Sequence, residues 1–315
     1  MCREKKGATM EQLSTTQTAT DSQLINQFIT ELDTTSKCTM NSYKWSIQKY
    51  MRYIAVSNED PKEAQTVRNY KKFLLESGMK VSTVNLYIAA VKRFYGFLEE
   101  HNLCENVAKK IKKERETKNF KKDALTLDQV KMILNSIDTS TLKGKRNRAL
   151  FMLMVNTGLR TIEINRAVVG DIRNVGNKEV LYIQGKGHTE KDEFVVLNKA
   201  VQHSLNEYLA ARKDVEDASP LFECTGNRAS GTPLTTKSIS HIIKGLFKEN
   251  GLVSERLTAH STRHTACTIA LMNGADLQEV QQMARHTSIN TTLIYSHNIN
   301  RLEHSAEDVL DGLFN

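Results

Sequence analysis

Four stretches of the 315-residue chain concentrate arginine, lysine, histidine and hydroxyl side chains: T-G-L-R-T-I-E-I at 157–164, G-K-G at 185–187, H-S-T-R-H-T at 260–265 and A-R-H-T-S-I-N-T-T-L-I-Y at 284–295. Groups of this kind suit chemistry on an anionic centre. Arginine presents a rigid donor fork and stays charged at any working pH, so two arginines can stabilise charge on the non-bridging oxygens of a phosphodiester. A tyrosine phenol of pKa ~10 is a poor nucleophile at neutral pH; cationic neighbours and a histidine within reach are what would activate it. A lysine whose pKa is lowered by nearby cations can protonate a departing oxygen. Arginines can supply the charge that Mg²⁺ supplies elsewhere, so neither a metal nor any other cofactor is required.

Taken singly, each residue has an ordinary explanation. Tyr295 is one of nine tyrosines, and a tyrosine near the end of an amphipathic helix is usually a core residue with a wet tip. Arg160 could simply follow a helix C-terminus, Lys186 could be an exposed turn lysine, and His264 reads best as a structural histidine. Other chemistries are excluded more firmly. Gly185-Lys186-Gly187 lacks the upstream glycine and following hydroxyl of a phosphate-cradling loop, and no GxGxxG follows a strand. His260 is followed by Ser261, so the general base of an HExxH zinc site is missing, and no GxSxG nucleophile elbow occurs. The five cysteines are scattered without a CxxC pair, which indicates neither a disulfide framework nor a zinc ribbon.

The elements that must position these residues are mainly helices. Only 3 Pro and 15 Gly, with long stretches of Leu, Lys, Glu, Gln and Asn, favour a mostly α fold. The length suits two domains. Residues 1–20 are polar enough to predict a loose tail. Over 21–103, apolar residues at helical spacing predict four helices, the fourth opening at Ser82 or Thr83. Residues 104–122 form a basic linker. Over its stretch 109–122, Lys109, Lys110, Lys112, Lys113, Arg115, Lys118, Lys121 and Lys122 face only two acidic residues, a local charge of +6. Such a run is either a solvated hinge or a strap that tracks nucleic-acid phosphates.

The second domain, 123–315, opens with the capping-box spacing Thr126-Leu-Asp-Gln129. A helix through Arg148–Val155 is stopped at Gly158, and strands at Glu179–Gln184 and Glu193–Leu197 form a small antiparallel sheet through a hairpin over Gly185–Asp192. Helices follow at 198–212, 236–249, 260–273, 276–285 and 289–295, with a last amphipathic helix at 302–313. The net charge of +8 predicts an acidic partner, and no apolar run approaches the ~20 residues of a membrane span. No secretory leader is evident, which predicts a cytoplasmic protein.

In this order and at these separations, the four stretches resemble the tyrosine recombinase family of bacterial Xer proteins and phage or transposon integrases. The match covers about 123–315, and the four helices before it look like that family's core-binding, SAM-like domain, ahead of a mixed α/β catalytic domain. The resemblance implies a site-specific DNA recombinase that cleaves and rejoins duplex DNA through a 3′-phosphotyrosyl intermediate, in integration, excision or resolution. It makes Tyr295 the nucleophile, Arg160 and Arg263 the phosphate clamps, Lys186 the acid for the leaving group, His260 the acid/base histidine and His286 the sixth member, with Glu163 supporting the arginines. It also implies a tetramer on two DNA sites, the 302–313 helix docking on a neighbouring subunit, and a nucleoid-associated protein, with accessory DNA-bending or directionality proteins as further partners.

The chain departs from the family pattern at Ala284-Arg285, where Leu-Gly is common, and at Thr262, where Leu is common. Arg285 is expected to add a phosphate contact, and Lys191 is the second choice should Lys186 prove silent. The rival class is a non-catalytic, sequence-specific DNA-binding regulator, which explains the charge but not Lys186 or Tyr295. A single-strand nickase would need an H-x-H metal pair, which the sequence lacks.

Overall fold

The structure is a computed structural model that describes residues 22–32, 36–116, 123–185, 188–226 and 230–295. Backbone contacts divide the chain into two units, Met1–Asn119 and Phe120–Asn315. The predicted tail at 1–20 and helix at 302–313 lie outside the described residues. Among those residues, no helix is long and apolar enough to cross a membrane.

In the first unit the periodic apolar residues fold as four helices: α1 (22–31), α2 (Lys37–Ser57), α3 (Ala64–Glu76) and α4 (Val81–Glu100). Ser36 caps α2 by accepting from the Thr39 amide, and α4 opens one residue ahead of the expected Ser82. Aromatic rings fill the interior, with Phe28 edge-on to Phe94 at 5.3 Å and Tyr50 stacked obliquely on Tyr70 at 4.9 Å. The buried Tyr50 and Tyr95 hydroxyls share a hydrogen bond of 3.0 Å, and Tyr95 donates to the Pro61 carbonyl. The start of the basic segment belongs to this unit rather than to a free linker: Ala108 and Ile111 are core residues, Lys92 donates to the Ile111 carbonyl, and Lys71 pairs with Glu114 at 2.6 Å. Burying two apolar side chains pins the backbone while the lysines between them stay in solvent.

The second unit is built around α6 (Leu142–Thr157), whose Ala149, Leu150, Phe151, Leu153 and Met154 are all fully buried. Before it, α5 (Leu127–Ser136) carries the predicted capping box, with Thr126 and Gln129 exchanging hydrogen bonds. α6 starts six residues earlier than Arg148, because Thr141 caps it and its first turn is too polar to show periodicity. After α6 come the short α7 (Thr161–Arg166), a 3₁₀ turn (Val169–Asp171) and an antiparallel sheet of β1 (Ile172–Val175), β2 (Lys178–Ile183) and β3 (Glu193–Val196).

The sheet order is β1-β2-β3, with Ile172 opposite Leu181 and Leu181 opposite Val195. Sequence reading finds two strands; β1 escapes it because Ile-Arg-Asn-Val is four residues long and mostly exposed. Its signal was the two-residue turn Gly176-Asn177, whose glycine has φ 60°. The unit ends in α8 (Lys199–Ala210), α9 (Thr236–Glu249), α10 (Ala259–Met272), α11 (Leu277–Ala284) and α12 (289–295). α6 and α10 pack together within this unit.

Candidate active site

α6 ends on Gly158, at φ 62°, a left-handed position that leaves room for the Arg263 side chain: a Cβ there would lie 3.5 Å from Arg263 Cγ. The turn delivers Arg160 as the N-cap of α7. Glu163, the third residue of that helix and fully buried, folds back on it. The Arg160 amide donates to Glu163 Oε2 at 2.7 Å, and Arg160 Nη1 donates to Oε1 at 2.7 Å. A carboxylate at a helix N-terminus is favourably placed. Here it also fixes one edge of the arginine fork, while 30% of that side chain stays exposed.

α10 supplies Arg263, of which only 2% is exposed. Its Nη1 donates to the Gly158 carbonyl at 2.7 Å and its Nη2 to the Ala284 carbonyl, so it ties the ends of α6 and α11 to α10. One turn earlier, the exposed His260 stands edge-on to His264 at 4.8 Å. Thr262 is buried and satisfied by the Ala259 carbonyl, so the loss of the family's leucine leaves no unpaired hydroxyl.

α11 is capped by Asp276 and Glu279, which exchange hydrogen bonds. It terminates at Arg285, which takes the left-handed conformation with φ 53° that glycine holds more easily. His286 follows, its Nδ1 2.9 Å from Thr292 Oγ1 and its ring parallel to that of Tyr295 at 6.1 Å. Tyr295 is 4% exposed and packs with Cys267, Val280 and Ala284; its hydroxyl donates to the Cys267 thiol, and His264 lies 5.2 Å away. Burial raises the Tyr295 phenol well above its ordinary value, and it raises the Cys267 thiol to about 11.

Arg160, Arg263 and Arg285 form one cationic cluster around His286. Burial, with Arg160 and Arg285 adding repulsion, pushes Arg263 down to about 10, so it stays protonated at neutral pH. Burial, followed by Arg263, Arg160, Arg285 and His260, pushes His286 down to about 4. The folded chain therefore binds fewer protons at this residue than the unfolded chain does between pH 6.5 and pH 4. The associated stability is complete above that window and lost as pH falls through it. Thermal melts from pH 7 to pH 4 are expected to show a wild-type loss on the order of 1–2 kcal/mol greater than that of His286→Gln. Equal losses would mean that His286 does not titrate in this range.

The structure thus brings Arg160, Glu163, Arg263, His260, His286 and Tyr295 into one unit, although they come from three helices and the turn after α11. Lys186 lies outside the described residues, as do Lys118, Lys121 and Lys122. Lys191 is engaged elsewhere: its ammonium lies 2.5 Å from the buried Asp171 carboxylate, holding the hairpin to the 3₁₀ turn. Lys109, Lys110, Lys112, Lys113 and Arg115 are exposed on the first unit.

Arg285 departs from the expected phosphate contact. Its side chain is 6% exposed and turned inward, with Nη2 on Glu163 at 2.9 Å and Nη1 on the Met283 carbonyl at 2.7 Å. A buried carboxylate offers a charge-assisted partner that a solvent-facing pose would forgo. Sequence reading also passed over Lys244 and Ser240 of α9, which share a cleft of about 540 Å³ with Arg160 and His260. A lysine on the polar side of an amphipathic helix carries no local signal of a site.

A family profile described as Phage integrase family matches residues 123–301, and one described as Phage integrase, N-terminal SAM-like domain, matches residues 25–102. Among curated proteins, the tyrosine recombinase XerD of Listeria innocua is 28% identical over 271 residues, covering 82% of this chain and 87% of that protein. That of Oceanobacillus iheyensis is 29% identical over 274 residues, with coverage of 82% and 87%. Two solved structures share the fold. The XerH site-specific recombinase bound to a palindromic difH substrate has a TM-score of 0.68 at 24% identity, covering 85% of this chain and 78% of that one. A lambda integrase dimer bound to a COC′ core site has a TM-score of 0.65 at 14% identity, covering 86% and 96%. With the catalytic profile spanning more than half its length and the SAM-like profile most of the remainder, the chain belongs to the phage integrase family, tyrosine-type enzymes that cleave and rejoin DNA at specific sites.

Proposed function

We propose that Tyr295 is the nucleophile of a site-specific recombinase acting on duplex DNA. The observation that carries this reading is the packing of Tyr295 against His286 beside the cluster of Arg160 and Arg263. The phenol oxygen attacks the scissile phosphorus, the bond to the 5′ oxygen breaks, and a 3′-phosphotyrosyl ester forms. Arg160 and Arg263 stabilise charge on the non-bridging oxygens, His260 takes the phenol proton, and Lys186 gives a proton to the departing 5′ oxygen. Attack by another strand's 5′ hydroxyl reverses the step, so no high-energy cofactor is consumed. Burial against Cys267 holds the phenol protonated at neutral pH. Cleavage therefore requires the phenol to give up that proton to a base as it meets the phosphate.

The substrate reading draws support from the solved relatives, which are complexes with a difH substrate and a COC′ core site. The basic residues Lys109 to Lys122 would contact phosphates, four chains would assemble on two duplexes, and 302–313 would dock on a neighbouring subunit. A cytoplasmic, nucleoid-associated enzyme of a mobile element or of chromosome resolution fits this chemistry. The non-catalytic regulator gains nothing from relatives that are named as recombinases.

The test is to express the chain in its host, denature with detergent, isolate protein-linked DNA, sequence the attached 3′ ends and identify the linked peptide by mass spectrometry. Clustered ends joined to the peptide that carries Tyr295 are expected. A different linked residue would remove Tyr295 as nucleophile, and reversible footprints without any adduct would establish the regulator.

A further inference from the structure

Arg285 stands where a helix ends in the left-handed region, a backbone position that side chains other than glycine, asparagine and aspartate rarely occupy. It is also among the most deeply buried cations of the second unit, with 6% of its side chain exposed. A charge is retained in such a place only when its partners compensate the loss of water. Those partners are specific. Nη2 shares with Arg160 the carboxylate of Glu163, which lies 122 residues earlier in the chain, and Nη1 closes on the Met283 carbonyl. Nε makes no hydrogen bond among the described residues and lies 3.8 Å from Glu193 Oε2 on β3, an ion-pair distance. That second carboxylate reaches across the sheet edge to Gly185, where an added Cβ would come within 2.9 Å of it. Arg285 therefore bridges the carboxylate that orients Arg160 and the strand end beside the hairpin.

We infer that Arg285 is a positioning residue for DNA cleavage: through Glu163 it fixes the fork of Arg160, and through Glu193 it holds the β2–β3 strand ends against that pair. The inference rests on the proposed role of this site in cleavage. Two guanidinium groups on one carboxylate leave Glu163 no freedom to rotate, so Arg160 has a single low-energy orientation at the cleft. The guanidinium of Arg285 is buried, with its Nη groups donating to Glu163 and to the Met283 carbonyl, so its loss should spare affinity and cost rate.

The experiment uses the full chain and a nicked duplex that carries the crossover sequence mapped in cells, so that each cleavage event is trapped as a covalent adduct. Single-turnover rates at saturating DNA, DNA affinity with its salt dependence, and rates from pH 5 to 9 are measured for wild type, Arg285→Gly and Glu193→Gln. Glycine suits the left-handed backbone, so Arg285→Gly should fold. Its rate is expected to fall 10- to 100-fold, with affinity and salt slope within 2-fold of wild type. The acid limb of its pH–rate profile is expected to move upward, because one cation beside His286 is gone. Glu193→Gln should show a smaller loss of the same kind. If Arg285→Gly fails to fold, Arg285→Gln carries the same comparison. A rate within 2-fold of wild type, or a loss confined to affinity and salt slope, overturns the inference. Absence of any adduct with wild type overturns the cleavage reading itself, and is distinguished from the first failure because no variant is involved.

Discussion

Replacing Tyr295 with phenylalanine is expected to abolish covalent cleavage of DNA, lowering adduct formation by at least about four orders of magnitude. The ring remains, so the parallel contact with His286 at 6.1 Å and the tilted contact with His264 at 5.2 Å are kept. What disappears is the hydroxyl and its bond to the buried Cys267 thiol. A weak neutral hydrogen bond of that kind contributes about 1 kcal/mol or less, so the variant should melt within a few degrees of wild type. DNA affinity should change by less than about 3-fold, since phosphate contacts come from cations that the substitution leaves in place. Adduct trapping on a nicked duplex, gel-shift titration and a thermal melt check all three expectations. Adducts that persist in Tyr295→Phe would assign the nucleophile to another residue.

Arg263→Ala is expected to lose both rate and stability, for separable reasons. In the proposed mechanism the guanidinium would donate to charge that develops on the phosphate, and removing one such donor costs about 10²- to 10³-fold in rate. The same group donates to the Gly158 and Ala284 carbonyls, both on buried residues. Truncation strands those acceptors and opens space between α6, α10 and α11, a loss of about 2–5 kcal/mol. Arg263→Lys keeps the charge, but an ammonium on a flexible stem cannot serve two carbonyls and a phosphate in one geometry. It should recover part of the stability and little of the rate. Denaturant unfolding, read beside single-turnover cleavage on folded protein, separates the two effects. A stable Arg263→Ala variant would show that the α6–α10–α11 junction does not depend on this side chain.

The sequence by itself determined the features whose cause is local. The capping pair Thr126–Gln129 and the glycine stop at Gly158 were legible because each depends on residues within one turn of each other. The helices of the first unit followed from apolar spacing, and the candidate site residues from the family resemblance that the four stretches carry. Short or weakly patterned pieces were lost: α7 has six residues, β1 has four, and the first turn of α6 is polar.

Only the tertiary structure decided which partners the site residues take. Arg263 meets Gly158 across 105 residues, Arg285 meets Glu163 across 122, and Tyr295 rests on Cys267 in a different helix. The same packing turned Arg285 from an expected surface contact into a buried clamp and drew residues 108–111 onto the first unit. None of these leaves a mark on neighbouring positions. Charge pairing and burial act between atoms that share space, and separation along the chain does not enter their energy except through the entropy of bringing the segments together.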